Sequence, residues 1–447
     1  MTYYLDSFGC VKNQVDSENM MSSLNRAGWT AAENAEDADL IIVNSCGFIE
    51  SAKKESINAV ISWRKLYPGK KILLAGCLAQ RYAKELPGEL TEADGFFGID
   101  NISGITAAAA EITGSPASDP DLKLYAELKT EGSRPLLSPP GTAYVKISEG
   151  CDNHCSFCVI PLIRGPMKSR HLVDIYEECR ILLARGIKEL CIIAQDSGSY
   201  GKDLNRTPPV SLSSLLDALS QLSGKFRVRI LYIHPDHFPL KILDLMEQDT
   251  RFIPYFDIPF QHGSPKILAA MNRKGNADVY LELIKTIRGR LPDAIIRSTF
   301  ITGFPGETEE DFQMLLDFQK KASLDWMGCF VYSREEGTPA YDMKDRVTKK
   351  IAEERKKILE EQQVRITEKQ MDRFVDRTID VLVEEKFTSD IITVGEDEAL
   401  YLGRLPCQAP EVDGVSVIYS PFPLKLGAMY PCHVIDRTGY DLKVRPL

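Results

Sequence analysis

Cys151-Asp-Asn-His-Cys155-Ser-Phe-Cys158 is the stretch of sequence that decides the fold. Thiolates bind iron and zinc, and cysteines at this close spacing can converge on one metal centre. A set of three thiolates leaves one coordination position open, as a metal that contacts substrate requires. The alternative is half of a zinc knuckle with His154 as the fourth ligand, although no second Cys pair follows at zinc-ribbon spacing.

The residues before this loop, 143–148, read as a β-strand. The C-x3-C-x2-C pattern, with Phe157 just before the last cysteine, resembles the signature of radical S-adenosylmethionine enzymes. That resemblance implies that Cys151, Cys155 and Cys158 hold a [4Fe-4S] cluster. It also implies that S-adenosyl-L-methionine chelates the fourth iron through its methionine part.

The composition describes a globular protein with more than one core. The chain has 447 residues, of which 44% are hydrophobic and 26% charged, so we expect two or three domains. No apolar run has the length of a membrane span, and the N-terminus does not read as a signal peptide. Eleven cysteines without an export signal predict free thiols and metal ligands in a reducing cytoplasm. The net charge of -10 argues against nucleic-acid binding through overall charge and fits a basic partner.

Strand-like and helix-like segments alternate in the first 115 residues. Strands are predicted at 3–8, 40–43 and 71–75, and helices at 15–27, with Gly28 as the C-cap, and at 50–66. This alternation predicts a parallel, doubly wound α/β sheet.

Cys10, Cys46 and Cys77 each follow the end of one of these strands, and a small residue precedes each of them. Open α/β sheets bind ligands beyond the carboxyl ends of their strands. Three thiols at one sheet edge therefore predict a second metal site with three cysteine ligands. The alternative is three buried structural thiols, because free cysteine is often buried.

The sequences around these cysteines resemble the N-terminal domain of methylthiotransferases. The resemblance rests on residues 9–18, 43–52 and 76–80, and Lys12-Asn13 and Asp16-Ser-Glu18 also fit the branch of this family that modifies a ribosomal protein. It implies that Cys10, Cys46 and Cys77 hold a second [4Fe-4S] cluster, which carries the sulfur to be inserted. Val11 departs from the proline that is usual after the first cysteine in that branch.

Residues 113–142 are rich in Pro, Ser, Gly and Asp and are predicted to be a linker. Alternation then resumes, which predicts a partial (β/α)6 barrel with the cluster loop at its carboxyl end. Strands are expected at 143–148, 190–194, 227–233, 255–260, 295–301 and 327–333. Helices are expected at 172–185, 211–222, 239–248, 264–271, 277–290 and 307–322.

Loops at the same end of the predicted barrel contain candidate residues for binding S-adenosyl-L-methionine. Gln195 closes the second strand, Gln261 is placed to bind a ribose hydroxyl, and Arg297 to pair with the cofactor carboxylate. The resemblance implies that Phe157 positions the adenine through its backbone. For each of these residues the alternative is a hydrogen bond that supports the fold. Arg164 and Arg170 are either contacts to substrate or cofactor, or surface cations.

Residues 348–373 are predicted to form a solvated connecting helix, and the period then changes to that of strands. Strands are expected at 378–383, 391–394, 414–419 and 430–435, which predicts a small five-stranded all-β barrel of the OB type. This region resembles the TRAM domain that is appended to methylthiotransferases. The expected domains are 1–115 (N-terminal cluster domain), 137–370 (radical S-adenosylmethionine core) and 374–444 (TRAM domain).

The barrel is acidic, since residues 375–447 contain 12 Asp and Glu against 7 Lys and Arg, a net charge of -5. Such a barrel suits a basic protein better than a phosphate backbone. Gly403-Arg404 and residues 409–414 are similar to the methylthiotransferase branch that modifies an aspartate of the small-subunit ribosomal protein S twelve.

The resemblance implies radical insertion of a methylthio group at the aspartate β-carbon, with a ferredoxin or flavodoxin as electron donor. A second S-adenosyl-L-methionine would supply the methyl group. Three alternatives remain open from the sequence. They are a tRNA methylthiotransferase that modifies an adenosine, a zinc or RNA-binding module without enzymatic activity, and an electron-transfer protein that uses both clusters.

Overall fold

The structure is a computed structural model that describes residues 1–115, 134–387 and 398–447. The chain divides into two compact units. The first contains Met1–Leu137, Tyr144–Ile181 and Ser333–Tyr341, and the second contains Ser138–Ala143, Leu182–Tyr332 and Asp342–Leu447. The loop with Cys151, Cys155 and Cys158 therefore belongs to the same unit as the N-terminal residues, across the domain boundary expected from the sequence.

The first unit is built on a five-stranded sheet in the order β2-β1-β3-β4-β5, with every neighbouring pair parallel. The strands are β1 (Thr2–Ser7), β2 (Thr30–Ala31), β3 (Leu40–Ser45), β4 (Lys71–Gly76) and β5 (Gly95–Phe97). The helices are α1 (Val11–Arg26), α2 (Glu50–Leu66), α3 (Cys77–Arg81), α4 (Leu86–Glu89) and α5 (Ile105–Thr113). The predicted doubly wound α/β sheet is confirmed.

Apolar residues cover both faces of this sheet. On one face, Leu40 and Ile42 pack in a core with Leu24 of α1 and Ala109 of α5. On the other face, Ile41 and Val43 pack with Val60 of α2. Side chains alternate between the faces of a strand, so a continuous apolar run such as β3 is buried on both.

The remainder of the first unit contains the central cysteine loop. Its elements are β7 (Ser148–Glu149), α6 (Ile160–Arg164), β8 (Lys168–Ser169) and α7 (Leu172–Ala184). The short strands β7 and β8 pair antiparallel on the two sides of the loop and α6. β6 (Thr142–Lys146) precedes them. The predicted strand at 143–148 thus ends earlier, before the Ser148–Ser169 pairing begins.

A six-stranded sheet has the order β13-β12-β11-β10-β9-β6. Its remaining strands are β9 (Glu189–Ile193), β10 (Arg227–Ile230), β11 (Phe252–Asp257), β12 (Ile295–Thr302) and β13 (Trp326–Val331). The helices of this region are α8 (Leu212–Leu219), α9 (Ile242–Gln248), α10 (Pro265–Ala270), α11 (Ala277–Arg290) and α12 (Glu309–Ala322). The predicted elements are present, with changes at their ends.

The largest displacement is in β11, which begins three residues before the predicted strand. β11 contains Pro254, which lacks the N–H that a central strand uses. The pairing of β10 with β11 shifts register between the Val228–Phe252 and Ile230–Phe256 pairs, so Pro254 lies at an irregularity, where proline is tolerated.

The second unit continues with α13 (Lys349–Met371) and a closed barrel in the order β14-β15-β16-β18-β17. The barrel strands are β14 (Thr378–Phe387), β15 (Ala399–Arg404), β16 (Ser416–Ser420), β17 (Met429–Thr438) and β18 (Asp441–Pro446). The predicted five-stranded barrel is confirmed. The strand predicted at 391–394 and most of the linker predicted at 113–142 lie outside the described residues. β15 and β18 were not predicted.

Within the described ranges, none of the helices combines the length and the apolar composition that crossing a membrane requires.

Candidate active site

The three N-terminal cysteines lie at neighbouring strand ends, as predicted. Cys46 directly follows β3, and Cys77 directly follows β4 as the first residue of α3. Cys10 comes three residues after β1 and forms the N-cap of α1. Because β1, β3 and β4 are adjacent and parallel, their carboxyl ends bring the three thiols to one edge of the sheet.

Glycines allow the three cysteine loops to approach one another. A Cβ on Gly9 would lie 2.8 Å from the Cβ and 3.0 Å from the Sγ of Cys46. A Cβ on Gly47 would lie 2.7 Å from the carbonyl oxygen of Cys77. Both contacts are shorter than carbon side chains tolerate, so the small residues beside the cysteines are required by the packing of this edge.

Asn13, in the first turn of α1, joins the ends of β1 and β3. Its side-chain amide donates a hydrogen bond of 2.7 Å to the carbonyl of Phe8 and longer ones to the carbonyls of Asn44 and Ser45. In return, the Asn44 amide donates 2.8 Å to the backbone carbonyl of Asn13. These buried contacts fix two of the three cysteine loops relative to each other.

The three thiols differ in electrostatic environment. The net pKa of the Cys10 thiol is lowered. Desolvation alone would raise this pKa, but the positive charges of Lys12 and Arg164 and hydrogen bonds from nearby backbone N–H groups lower it by more. Burial raises the pKa of Cys46, and it raises the pKa of Cys77 to about 12. The charge of Cys10 adds to the pKa increase of both other thiols, as expected of neighbouring groups.

The central cysteines lie on a compact loop whose geometry is local. The backbone N–H of Cys158 donates to the carbonyl of Cys155 at 3.0 Å, and that of Cys151 donates to the carbonyl of Gly165 at 3.2 Å. The Asn153 side-chain amide lies 3.3 Å from the Sγ of Cys151. Cys155 is buried, whereas Cys151 and Cys158 are partly exposed.

Gly150 enters this loop with a φ of +71°, and a Cβ there would lie 2.2 Å from the carbonyl oxygen of Pro166. His154 also has a positive φ, of 48°, and its side chain is exposed. The turn that spaces Cys151 from Cys155 therefore uses left-handed backbone at both places.

A network of buried charges lies beside Cys77 in the first unit. Arg164, the last residue of α6, donates from Nη2 to the Sγ of Cys77 at 3.1 Å and to Asp16 Oδ2 at 2.8 Å. Its Nη1 donates to Glu149 Oε1 at 2.7 Å. Lys146 pairs with both Asp16 and Glu149. The interpretation of Arg164 as a surface cation is wrong, because its side chain is 2% exposed.

Each trio offers three thiols, the ligands that hold iron–sulfur clusters. Among the described residues, no three His, Cys, Asp or Glu side chains gather around one ion position. A [4Fe-4S] cluster binds each cysteine to a different iron, so its ligands need not converge on one point. Cations beside Cys10 and Cys77 also suit the thiolate form of the ligands. The residues present fit a cluster at each trio.

The second unit contains three of the predicted cofactor-binding residues, namely Gln195, Gln261 and Arg297. Gln195 lies two residues after the end of β9, and Arg297 lies within β12. Gln261 follows β11, has a φ of +71°, and pairs through its backbone with Thr299 and Ile301 of β12. Its side chain is buried, and its Oε1 has no hydrogen-bond partner among the described residues. Such an acceptor is available to a ligand hydroxyl.

Arg297 already has two carboxylate partners within its unit. Its Nη1 lies 3.2 Å from Asp257 Oδ1, and its Nε lies 3.4 Å from Asp413 Oδ1 in the loop between β15 and β16. Asp413 also accepts from the hydroxyl of Tyr255 at 2.7 Å. A cofactor carboxylate at Arg297 would add a third anion to this guanidinium. Its pairing with the cofactor therefore stays a prediction.

Arg404, in the sequence that resembled the ribosomal-protein branch, is buried and binds Glu189 of β9 at 2.9 Å. Glu189 also pairs with Arg227 and Arg229 of β10. Arg404 is therefore a structural connection between the barrel and the six-stranded sheet, and its side chain is not on the protein surface.

Sequence reasoning missed the roles of Asp16, Lys146 and Glu149. One signal was available, since Asn13, Asp16 and Ser17 recur at helical spacing on the side of α1 that is buried. Polar residues on the buried face of a helix need buried partners, and those of Asp16 lie more than a hundred residues away in the chain.

Comparisons with known proteins cover nearly the whole chain. Residues 2–98 match the family described as uncharacterized protein family UPF0004. Residues 145–318 match the radical SAM superfamily, and residues 375–446 match the TRAM domain. The matches fall on the N-terminal sheet, the central loop with its sheet, and the barrel.

The curated relatives share one description. The ribosomal protein uS12 methylthiotransferase RimO of Treponema denticola is 44% identical, with 98% of this chain and 99% of the relative covered. The protein of the same name from Carboxydothermus hydrogenoformans is 41% identical over 99% of each chain. The chain belongs to the RimO methylthiotransferase family. It is accordingly a radical S-adenosylmethionine enzyme, and membership implies S-adenosylmethionine and [4Fe-4S] chemistry.

Solved structures support the fold of this RimO-family chain. The radical S-adenosylmethionine methyltransferase TsrM from Kitasatospora setae, solved with cobalamin and a [4Fe-4S] cluster, aligns with a TM-score of 0.51 at 14% identity. The alignment covers 76% of this chain and 73% of TsrM. At this identity the similarity concerns the fold alone.

Proposed function

We propose that this chain inserts a methylthio group at the β-carbon of an aspartate of ribosomal protein uS12. The observation that carries the proposal is the presence of two cysteine trios in one compact unit, with Arg164 after the central loop bonded to Cys77. Support also comes from relatives named as uS12 methylthiotransferases that match over the full chain.

We assign the metal ligands by trio. Cys10, Cys46 and Cys77 hold one [4Fe-4S] cluster, and Cys151, Cys155 and Cys158 hold a second, so the enzyme has two clusters. Phe157, Gln195, Gln261 and Arg297 bind S-adenosyl-L-methionine. The domains are an N-terminal cluster domain (1–115), a radical core (137–370) and a TRAM domain (374–444).

The clusters and S-adenosyl-L-methionine supply, when bound, the electron, the radical and the methylated sulfur. The protein positions them and excludes water. Asn13 joins the loops that contain Cys10 and Cys46. The buried Cys46, Cys77 and Cys155 anchor the clusters away from solvent. Cys151, Cys155 and Cys158 would hold the cluster that works with S-adenosyl-L-methionine, and Cys10, Cys46 and Cys77 would hold the one that supplies sulfur.

The charge of the barrel favours a basic protein as substrate over tRNA. Most of its cations are already in ion pairs within the second unit: Arg377, Arg404, Arg437, Lys443 and Arg445. Binding to a phosphate backbone requires cations that meet phosphates. The excess of Asp and Glu in the barrel is complementary to a basic ribosomal protein.

The reaction needs electrons of low potential, about -400 mV as for plant-type ferredoxins. We propose a ferredoxin or flavodoxin as the donor and the cytoplasm as the place of action, because the ribosomal substrate and the reduced thiols belong there.

The decisive experiment compares uS12 and tRNA from cells that lack this chain. Replacing a hydrogen by SCH3 adds roughly 46 daltons, which mass spectrometry resolves on a small protein or on a nucleoside. We expect this mass to disappear from uS12, to return with the wild-type chain, and to stay absent with Cys46→Ala. Loss of the mass from a tRNA adenosine with uS12 unchanged would overturn the proposed substrate.

A further inference from the structure

Arg164 joins the segment that follows the central trio to the N-terminal trio. It ends α6, the helix that begins two residues after Cys158, and its guanidinium lies 3.1 Å from the Sγ of Cys77. Val159 and Ile163 of the same segment pack against Cys77 in a small apolar cluster. The segment that follows the central loop is thus held against the N-terminal trio by both packing and a hydrogen bond.

Two carboxylates hold the guanidinium of Arg164 in place. Asp16 accepts from Nη2 and Glu149 accepts from Nη1, and both carboxylates also pair with Lys146. The four side chains form a set of two cations and two anions. Its formal charge is zero, so its influence on Cys77 comes mainly from the nearby N–H donor. A planar, forked guanidinium with two carboxylate partners has little freedom to turn away from the sulfur.

Hydrogen bonds to ligand sulfur are one of the ways in which proteins set the potential of an iron–sulfur cluster. A hydrogen-bond donor on the sulfur offsets negative charge, and the reduced cluster has more negative charge than the oxidised one. The donor therefore favours reduction. The same bond also fixes the direction of the Cys77 side chain, as groups around a metal site orient its ligands.

We propose that Arg164 is a positioning residue that donates to the Cys77 sulfur, makes the N-terminal cluster easier to reduce, and fixes that cluster relative to the central loop. The inference rests on the proposed function, because it requires a cluster at Cys10, Cys46 and Cys77. It adds a role for a residue that binds neither iron nor substrate.

The test uses the full chain with Cys151, Cys155 and Cys158 all changed to Ala, so that one cluster is observed. Arg164→Lys and Arg164→Gln are compared in this background by iron content and by the midpoint potential from an EPR-monitored redox titration. Arg134→Lys is the matched control, because Arg134 is equally buried and binds two carboxylates, Glu18 and Glu178.

We expect about four irons per chain in the background and the control, as one cubane cluster requires. Arg164→Gln should lower the equilibrium constant for reduction at least tenfold, which is a shift of 59 mV to more negative potential for one electron. Arg164→Lys, which keeps the charge but loses the fork, should shift less. The control should keep the potential of the background.

An unchanged potential in iron-replete Arg164→Gln would overturn the inference, as would an equal shift in Arg134→Lys. If Arg164→Gln fails to retain iron while Arg134→Lys retains it, the positioning role is supported. Equal loss of iron from both variants overturns it. Absence of iron from the background itself would instead refute the second cluster, and with it the proposed function.

Discussion

The N-terminal cysteine trio is assembled from three strand ends that lie far apart in the sequence, whereas the central trio occupies eight consecutive residues. In the first, the distance between Cys10 and Cys46 is set by a parallel sheet and by Gly9 against Cys46. In the second, hydrogen bonds within one loop and its return strand set the geometry.

The difference shows which part of the molecule each metal centre depends on. A trio built from strand ends exists only when the sheet is formed, since the sheet alone brings its members together. A trio within one loop depends on local backbone conformation, and Gly150 supplies the positive φ that this loop needs. Variants in the sheet and in the loop should therefore remove different clusters and different steps of the reaction.

The largest effect is expected from removing one ligand of each trio. Cys46→Ala and Cys155→Ala should each reduce the iron content of anaerobically reconstituted protein from about eight to about four per chain. Both should abolish thiomethylation. Only Cys155→Ala should abolish cleavage of S-adenosyl-L-methionine, because only the central trio leaves an iron for the cofactor. Iron analysis and quantification of 5′-deoxyadenosine measure these outcomes.

Cys179→Ala is the matched control for the ligand variants, because Cys179 is a buried thiol on α7 that belongs to neither trio. It should retain all of the iron and the activity. Methylthiolated product from Cys46→Ala would contradict the division of labour between the trios.

A second, smaller effect is expected from the glycines that shape each site. Gly76 precedes Cys77 with a φ of +95°, and a Cβ there would lie 2.2 Å from Asn44 Oδ1 and 2.7 Å from the carbonyl oxygen of Ser45. Gly76→Ala should therefore lower the free energy of unfolding by about 3 kcal/mol or more, through left-handed strain and overpacking. Gly150→Ala should cost a similar amount. Chemical denaturation measures both.

Gly28→Ala separates backbone strain from crowding. Gly28 has a φ of +84°, but a Cβ there would meet no atom within 4 Å. The cost should be about 1 kcal/mol, from the left-handed backbone alone.

In addition, Gly76→Ala should lose iron from the N-terminal trio and Gly150→Ala from the central trio. Loss of the same cluster from both would remove the distinction between a sheet-built and a loop-built site.

Local patterns explain what the sequence predicted. The apolar run of β3 and the position of Cys46 and Cys77 directly after their strands identify the sheet and its edge without knowledge of any distant contact. The same holds for the parallel strands of the larger sheet, whereas two of the five barrel strands, β15 and β18, were not identified from local patterns. The assignment of all six cysteines to metal centres remains a prediction, and the positions of their loops agree with it.

What could not be predicted depends on contacts between distant residues. Arg164 reads as an ordinary cation after a loop, and only the folded unit brings it to Asp16 and Cys77. Arg297 reads as a ligand for a cofactor carboxylate, yet in the fold it pairs with Asp413 from a barrel loop. No local period signals which carboxylate a given arginine binds, because ion pairing requires only proximity in the fold.

A third effect, of about 2 kcal/mol, is expected at Asn13. Asn13→Ala removes the donor to the Phe8 carbonyl and leaves the carbonyls of Asn44 and Ser45 with fewer partners in a buried site. Iron at the N-terminal trio should become less stable to chelation, while the central cluster should be unaffected. Gln14→Ala is the control, because the side chain of Gln14 bonds to Glu18 on the same helix and does not join two cysteine loops. Equal chelation rates in both variants would show that Asn13 does not fix the trio.

The smallest effect concerns the loss of folding stability at low pH. Acid also protonates the thiolates, so the two effects must be separated before the two trios are compared at low pH. His234, after β10, belongs to neither trio. Burial, together with the charge of Arg273, lowers its pKa to about 3. Below pH 6.5 the unfolded chain therefore binds a proton at His234, whereas the folded chain does not. The contribution of His234 to the free energy of unfolding is present above pH 6.5 and is lost as the pH falls toward 3.

Between pH 7.5 and pH 5.5 this linkage lowers the free energy of unfolding by about 1.4 kcal/mol. His234→Asn keeps an acceptor for the backbone N–H of Asp236 and removes the titration, so its free energy of unfolding should fall less between pH 7.5 and 5.5. His171→Asn, at an exposed position, should follow the wild type. If the iron of both trios is lost at the same pH in His234→Asn and in wild type, cluster loss reflects the thiolates. A shift of both losses together to lower pH would instead show that the six-stranded sheet unfolds first, and the two trios would then have to be compared above pH 6.5.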